Sequence, residues 1–241
     1  MQTIYQPKGA AQEYGEWALN IYQGCPHGCT YPCYVPQCLR RDRTEFHAKC
    51  EPRNEIIKET EKWLIKHSDS PKLDIFLCFT CDPFPYRYKH NATWDAISLL
   101  HKYGHSVTIL TKGEIDLLSA VNNITELDTV GATISCGDRL ATTWEPFAVP
   151  PSYRREHLKR IKEIFGCKTF YSHEPVIEPE YVYECLINDD FIDEFRIGKW
   201  NYNPQAKLID WKRFGETCLE LAAKYDRKVI LKESLLKEMN K

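Results

Sequence analysis

The sequence predicts an α/β fold, a parallel sheet curled into an open or closed barrel with helices packed outside it. Three observations carry this. Short β-rich apolar runs alternate with helix-period segments about six times. The 241 residues suit one large domain with a real core, and are rather few for a full eight-unit barrel of ~250 residues with added loops. Polar or cysteine residues end several of the runs, where such folds assemble their sites.

The strand-like runs are expected at residues 18–22, 74–80, 106–111, 129–135, 168–172, 191–197 and 228–231. The clearest helix lies at 54–67, where Ile56, Ile57, Trp63, Leu64 and Ile65 form a stripe. Further helices are expected at 92–103, 115–121, 153–165 and 211–225. Pro150 and Pro151 precede the 153–165 segment and suit a helix start. The expectation is a single domain over 1–241, with a ligand loop at 24–38 and a short C-terminal extension at about 205–241.

Composition narrows the class. Lys plus Arg number 32 against 34 Asp plus Glu, so overall charge gives no argument for nucleic-acid binding, although a local basic face remains open. No apolar run of about 18 residues appears, so no membrane span is expected. The first residues, MQTIYQPKGAAQEYGEW, lack the charged start and apolar stretch of a signal peptide. Eleven cysteines in a long chain without an export signal read as reduced thiols in a cytoplasmic protein, not as a disulfide scaffold.

The densest chemistry is GCPHGCTYPCYVP, which places Cys25, Cys29 and Cys33 in one short loop. Thiolate is the ligand that iron–sulfur iron prefers, and a tight cysteine triplet encircles a cluster. Three ligands for four irons leave one iron free to hold something else. The alternative from another class is a zinc-stabilised, non-catalytic binding module, with His27 completing the ligand set, although no paired Cys unit is evident.

These residues resemble the cluster motif of radical S-adenosylmethionine (radical SAM) enzymes, Cys-x3-Cys-x2-Cys. The likeness is closest to the branch similar to spore photoproduct lyase, whose motif reads roughly GCxHxCxYCY. Four further segments resemble that branch in order: TCDPF (Thr80–Phe84), LTKG (Leu110–Gly113), TIS (Thr133–Ser135) and WEPFAVPPSYRR (Trp144–Arg155). The resemblance implies a partial (β/α)6-type barrel holding a 4Fe–4S cluster on Cys25, Cys29 and Cys33, with S-adenosylmethionine on the open iron. It implies reductive cleavage of that cofactor to a 5′-deoxyadenosyl radical, which takes hydrogen from a substrate. A nucleic-acid base or lesion is the first candidate substrate, a peptide or small metabolite the alternative. A flavodoxin or ferredoxin is the expected reductant, and the protein is expected to be a monomer.

One departure stands out. Pro32 lengthens the last interval to Cys29-x3-Cys33, so the loop must bulge by one residue. Tyr31 and Tyr34 both become candidates for the aromatic beside the adenine, and Cys38 is an alternative third ligand. Thr80 and Asp82 are expected to meet the methionine ammonium, and Lys112, Arg196 or Lys199 its carboxylate. Ser135 and Asp138 fit the ribose hydroxyls. Glu174 is expected to receive the ammonium or touch substrate. Cys81 is a candidate hydrogen donor, since the branch carries a cysteine just before its TxD segment where this chain has Phe79. Each has a structural alternative: an Asp-Pro turn at Asp82, a solvated Lys112 before glycine, a satisfied Ser135 hydroxyl, a surface Glu174 before proline. The basic run Arg154, Arg155, Lys159, Arg160 and Lys162 reads as a solvated helix face or a phosphate site.

Overall fold

The computed structural model describes residues 3–241. Strand β1 (Ile4–Tyr5) leads through a 3-10 turn (Gly9–Glu13) to β2 (Trp17–Leu19) and β3 (Tyr22–Gln23). Helices α1 (Tyr34–Cys38) and α2 (Arg43–Ala48), strand β4 (Glu51–Pro52) and α3 (Ile56–Lys66) follow. Then come β5 (Asp74–Leu77), α4 (Asn91–Lys102), β6 (Ser106–Thr111), α5 (Leu117–Ala120), β7 (Thr129–Thr133), α6 (Asp138–Trp144) and α7 (Pro151–Phe165). The chain continues through β8 (Lys168–His173), α8 (Pro179–Asn188), β9 (Glu194–Ile197), a 3-10 turn (Pro204–Leu208), α9 (Trp211–Tyr225), β10 (Val229–Leu231) and α10 (Glu233–Met239).

Eight strands form one sheet in the order β1-β2-β5-β6-β7-β8-β9-β10, while β3 and β4 pair separately. Only β1 runs antiparallel to its neighbour in the large sheet; every other pairing is parallel. The crossover helices cover the sheet, so central strands are buried on both faces and read as continuous apolar runs. Ile75, Phe76 and Leu77 of β5 and Phe170 and Tyr171 of β8 are all buried. Gly131 of β7 pairs with Phe170 of β8, and a Cβ there would meet the Phe170 ring at 2.3 Å, so only glycine admits that ring.

The helices bury one face each, though in the expected 54–67 stripe only Ile56 and Leu64 are buried, Ile57 and Trp63 are half-buried, and Ile65 is exposed. In α3 Ile56, Thr60 and Leu64 recur at four-residue spacing and face the core. In α9 Trp211, Phe214, Cys218 and Ala222 do the same, behind an Asp210 N-cap that accepts from the Arg213 N–H. Each buried Leu or Ile side chain contributes about 1.5–3 kcal/mol relative to exposure.

The sheet remains open: β1 and β10 are its free edges. The segment after β1 bridges the gap with side chains. Glu13 accepts the Glu233 N–H at 2.8 Å and pairs with Lys232 at 3.3 Å, and the Tyr14 carbonyl accepts from Arg196 at 3.3 Å. Strand β5 ends at Leu77, three residues before the expected Thr80. The reason is local: the Phe79 and Thr80 N–H groups donate to Asn20 Oδ1 at 2.8 and 2.9 Å, not to a neighbouring strand. No described helix is long and apolar enough to cross a membrane.

Candidate active site

The strand ends and the 24–38 loop enclose a cavity of about 470 Å³. Its wall includes Cys25, Cys29, Cys33, Tyr34, Cys81, Asp82, Lys112, Glu174 and Lys199, so the fold brings these sequence candidates together. Cys38, Cys78 and Tyr31 also reach it. Thr80, Ser135, Asp138 and Arg196 are not part of that wall.

The loop is pinned from several sides. Gly24 has φ +85°, and a Cβ there would lie 1.8 Å from the Lys49 carbonyl oxygen, so no other residue can turn the chain into the loop. The Cys25 N–H donates to the Phe46 carbonyl at 3.2 Å, and His47 Nδ1 lies 2.8 Å from the Cys25 carbonyl. Arg43 donates to the carbonyls of Cys29 and Tyr31. Thr30 ties the loop to the end of α6 through its N–H to Trp144 O (2.9 Å) and its hydroxyl to Thr143 O (2.7 Å). The extra residue Pro32 is accommodated without loss of these anchors: Tyr31 turns inward to Glu145, while Cys33 caps α1 with extended backbone.

All the cysteines are free thiols. Burial pushes Cys25 well above the usual thiol range and Cys29 to about 11, and it raises Cys33; neighbouring thiols add to the shift at each of the first two. A thiolate here is therefore costly until a cation neutralises it, as iron does. Among the described residues, no group of three or more His, Cys, Asp or Glu side chains forms a ready metal-ion site. The fit to an iron–sulfur cluster rests on donor chemistry: three thiols, one loop, one shared cavity.

Asp82 does not present a free carboxylate. It accepts from the Phe84 N–H (2.9 Å), the Thr111 hydroxyl (2.5 Å) and the Lys112 N–H (2.9 Å), and it faces His27 Nδ1 at 3.5 Å. Those partners occupy about the four acceptor positions a carboxylate has. Lys112 reaches Glu145 only at 4.0 Å and stands over the Tyr31 ring at 5.8 Å. Burial opposes its charge, but Glu145 and the Cys29 sulfur outweigh that and hold its ammonium above the ordinary lysine value.

Behind the cavity lies a buried ion pair that takes Arg154 out of the solvated face or phosphate site expected of its basic run. Glu145 and Arg154, nine residues apart across three prolines, pair with almost no solvent contact. Arg154 also donates to the Val149 carbonyl at 2.6 Å and to the Thr133 carbonyl at the end of β7. Glu145 accepts from Tyr31 (3.2 Å) and Ser135 (2.9 Å). Burial pushes the Glu145 carboxyl up, but Arg154 and then Lys112 outweigh this and hold it below its ordinary value.

Opposite the cysteines, Glu174 is ion-paired with the buried Lys232 and accepts from Asn201 at 3.1 Å and Ser234 at 3.2 Å. Tyr14, also absent from the sequence candidates, donates or accepts at Ser172 Oγ (2.6 Å), and the Lys232 ammonium sits 3.9 Å over its ring. Tyr34 donates to the Phe79 carbonyl at 2.6 Å, and Lys199 is held by Glu238 at 2.5 Å. Of the residues off the wall, Asp138 binds Ser152, Thr80 receives Arg53, and Arg196 pairs with Glu194. The basic run on α7 is divided: Arg154 points inward to Glu145, while Arg155 is taken by Asp189 and Glu184.

No family model matches the chain. Over 209 residues it is 28% identical to the uncharacterized protein ORF301 of Acidianus two-tailed virus, a stretch that covers 78% of this chain and 65% of that protein. Spore photoproduct lyase superposes with a TM-score of 0.70 over 93% of this chain and 78% of that one, at 12% identity. Streptococcus suis SuiB, solved with its precursor peptide SuiA, gives 0.63 over 92% and 50%, at 17% identity. The chain thus spans half of SuiB and less than two thirds of the viral protein. The chain has the fold shared by spore photoproduct lyase and SuiB.

Proposed function

We propose that this protein is a radical SAM enzyme whose 4Fe–4S cluster is held by Cys25, Cys29 and Cys33. The carrying observation is that all three thiols share one cavity with Lys112 and Glu174, at the C-terminal ends of parallel strands. The cluster, when bound, supplies the electron for reductive cleavage of S-adenosylmethionine and so for hydrogen abstraction from a substrate. Every other part of the account belongs to the chain. Lys112 offers a cation with only a distant partner, suited to the cofactor's carboxylate. Glu174, which lines the cavity between Lys232, Asn201 and Ser234, is the carboxylate proposed for the ammonium or for substrate. Phe76, Phe79 and Tyr14 line the wall with rings and exclude water. Cys81 stays in the proposal as a hydrogen donor, since it lines the same cavity.

A nucleic-acid base or lesion is the proposed substrate; spore photoproduct lyase, solved with a dinucleoside spore photoproduct, matches over most of both chains. A peptide is the second reading, favoured by the likeness to SuiB, solved with precursor peptide SuiA. A flavodoxin or ferredoxin reductant, a cytoplasmic setting and a monomer complete the proposal. The test is anaerobic incubation with dithionite and S-adenosylmethionine. Release of 5′-deoxyadenosine supports the reading; an intact cofactor with a fully loaded protein refutes it.

A further inference from the structure

One contact between the cysteine loop and the barrel runs through His27, which lies between Cys25 and Cys29. Its side chain is 2% exposed. Its Nε2 accepts the Tyr86 N–H at 3.1 Å. A backbone N–H can only donate, so Nε2 carries no proton and the neutral ring must carry it on Nδ1. That nitrogen faces Asp82 Oδ2 at 3.5 Å. The His27 carbonyl in turn accepts the Phe147 N–H at 3.3 Å. Asp82 itself is fixed by the Phe84 N–H, the Thr111 hydroxyl and the Lys112 N–H. One carboxylate therefore joins the end of β6, the turn after β5 and a ring inside the ligand loop.

Resting on the radical SAM reading above, we propose that His27 and Asp82 are positioning residues that hold the span between Cys25 and Cys29 in ligand-ready orientation, and that Asp82 acts through His27 and not on the cofactor's ammonium. The chemistry follows outer-shell logic. A ligand loop gains little from having thiols of the right kind if their directions wander, and outer-shell partners are what limit that wandering. Here the partner faces the residue midway between two ligands, and one tautomer both accepts the Tyr86 N–H and turns its own N–H toward Asp82.

The test has two arms. In metal-free protein, long-range ¹⁵N NMR of the imidazoles reads the His27 tautomer. A proton on Nδ1 is expected in the wild type and, because the Tyr86 N–H still donates to Nε2, in Asp82→Asn as well. A proton on Nε2 in the wild type overturns the proposal without any variant. In the second arm, His27→Gln, His27→Ala and Asp82→Asn are reconstituted anaerobically with iron and sulfide. Iron affinity should fall about 10–100-fold in His27→Ala and Asp82→Asn, with altered electron paramagnetic resonance of whatever reduced cluster remains. His27→Gln, whose amide oxygen can accept the Tyr86 N–H and whose amide N–H can face Asp82, should recover most of it. Wild-type affinity and spectrum in His27→Ala would overturn the inference. A wild type that takes up no cluster at all would instead remove the enzymatic reading, and the tautomer result would then stand as a structural finding alone.

Discussion

Replacing Arg154 with Met isolates the buried pair behind the cysteine loop. The guanidinium pairs with Glu145 and donates to the carbonyls of Val149 and Thr133. Its removal strands a carboxylate without solvent contact, left with Tyr31, Ser135 and a Lys112 ammonium 4.0 Å away. Losing one partner of such a pair costs about 3–5 kcal/mol, a large part of the ~5–15 kcal/mol that holds a domain folded. Glu145→Gln should cost less, because the amide oxygen can still accept from Tyr31 and Ser135. The assay is urea unfolding of both variants at neutral pH. The pair also sets an acid response. The folded Glu145 carboxyl is held below its ordinary value, so its contribution is present above the unfolded pKa and is lost as pH falls through the folded one. Wild type should therefore lose stability on acidification more steeply than Glu145→Gln. An Arg154→Met loss under about 1 kcal/mol would mean the pair is not buried as described.

Three further outcomes are expected. Gly24→Ala should destabilise the protein by more than about 2 kcal/mol in chemical denaturation, since the new Cβ falls 1.8 Å from a backbone oxygen at positive φ; a neutral effect would contradict the loop geometry. Cys29→Ala should keep the fold, with a small change in unfolding midpoint, yet retain no cluster after reconstitution; a fully loaded variant would remove Cys29 from the ligand set. Lys112→Met should weaken S-adenosylmethionine binding at least about tenfold by calorimetry, because a charged hydrogen bond is worth about 1.5–3 kcal/mol, while iron content stays normal. Unchanged affinity would place the carboxylate elsewhere.

The alternation of strand and helix was legible because each element carries its own period. Strand β6 falls on the expected 106–111, and α9 on 211–225. Helix α8 is not among the expected helices, although Val182, Cys185 and Leu186 sit at three- and four-residue spacing; its Tyr and Val residues favour strand and weaken the helical signal. The cysteine loop, Asp82, Lys112 and Glu174 announce themselves by position at strand ends. What they bind is another matter. Asp82 looks open in the sequence, and only the fold shows Thr111 and two backbone N–H groups converging on it. Ser135 and Thr80 are likewise claimed by Glu145 and Arg53. Tyr14 and Lys232 lie 218 positions apart, so no local pattern could pair them; the open sheet edges bring them together. Arg154 and Glu145 both stand in the segment Trp144–Arg155, where an acid and a base flank three prolines, but only the fold shows that they pair.

The most direct test is iron and acid-labile sulfide analysis with Mössbauer spectroscopy on anaerobically reconstituted protein. The account predicts about four of each per chain, with one iron distinct from the other three and altered by S-adenosylmethionine. Stoichiometric zinc, or four equivalent irons indifferent to the cofactor, would contradict it.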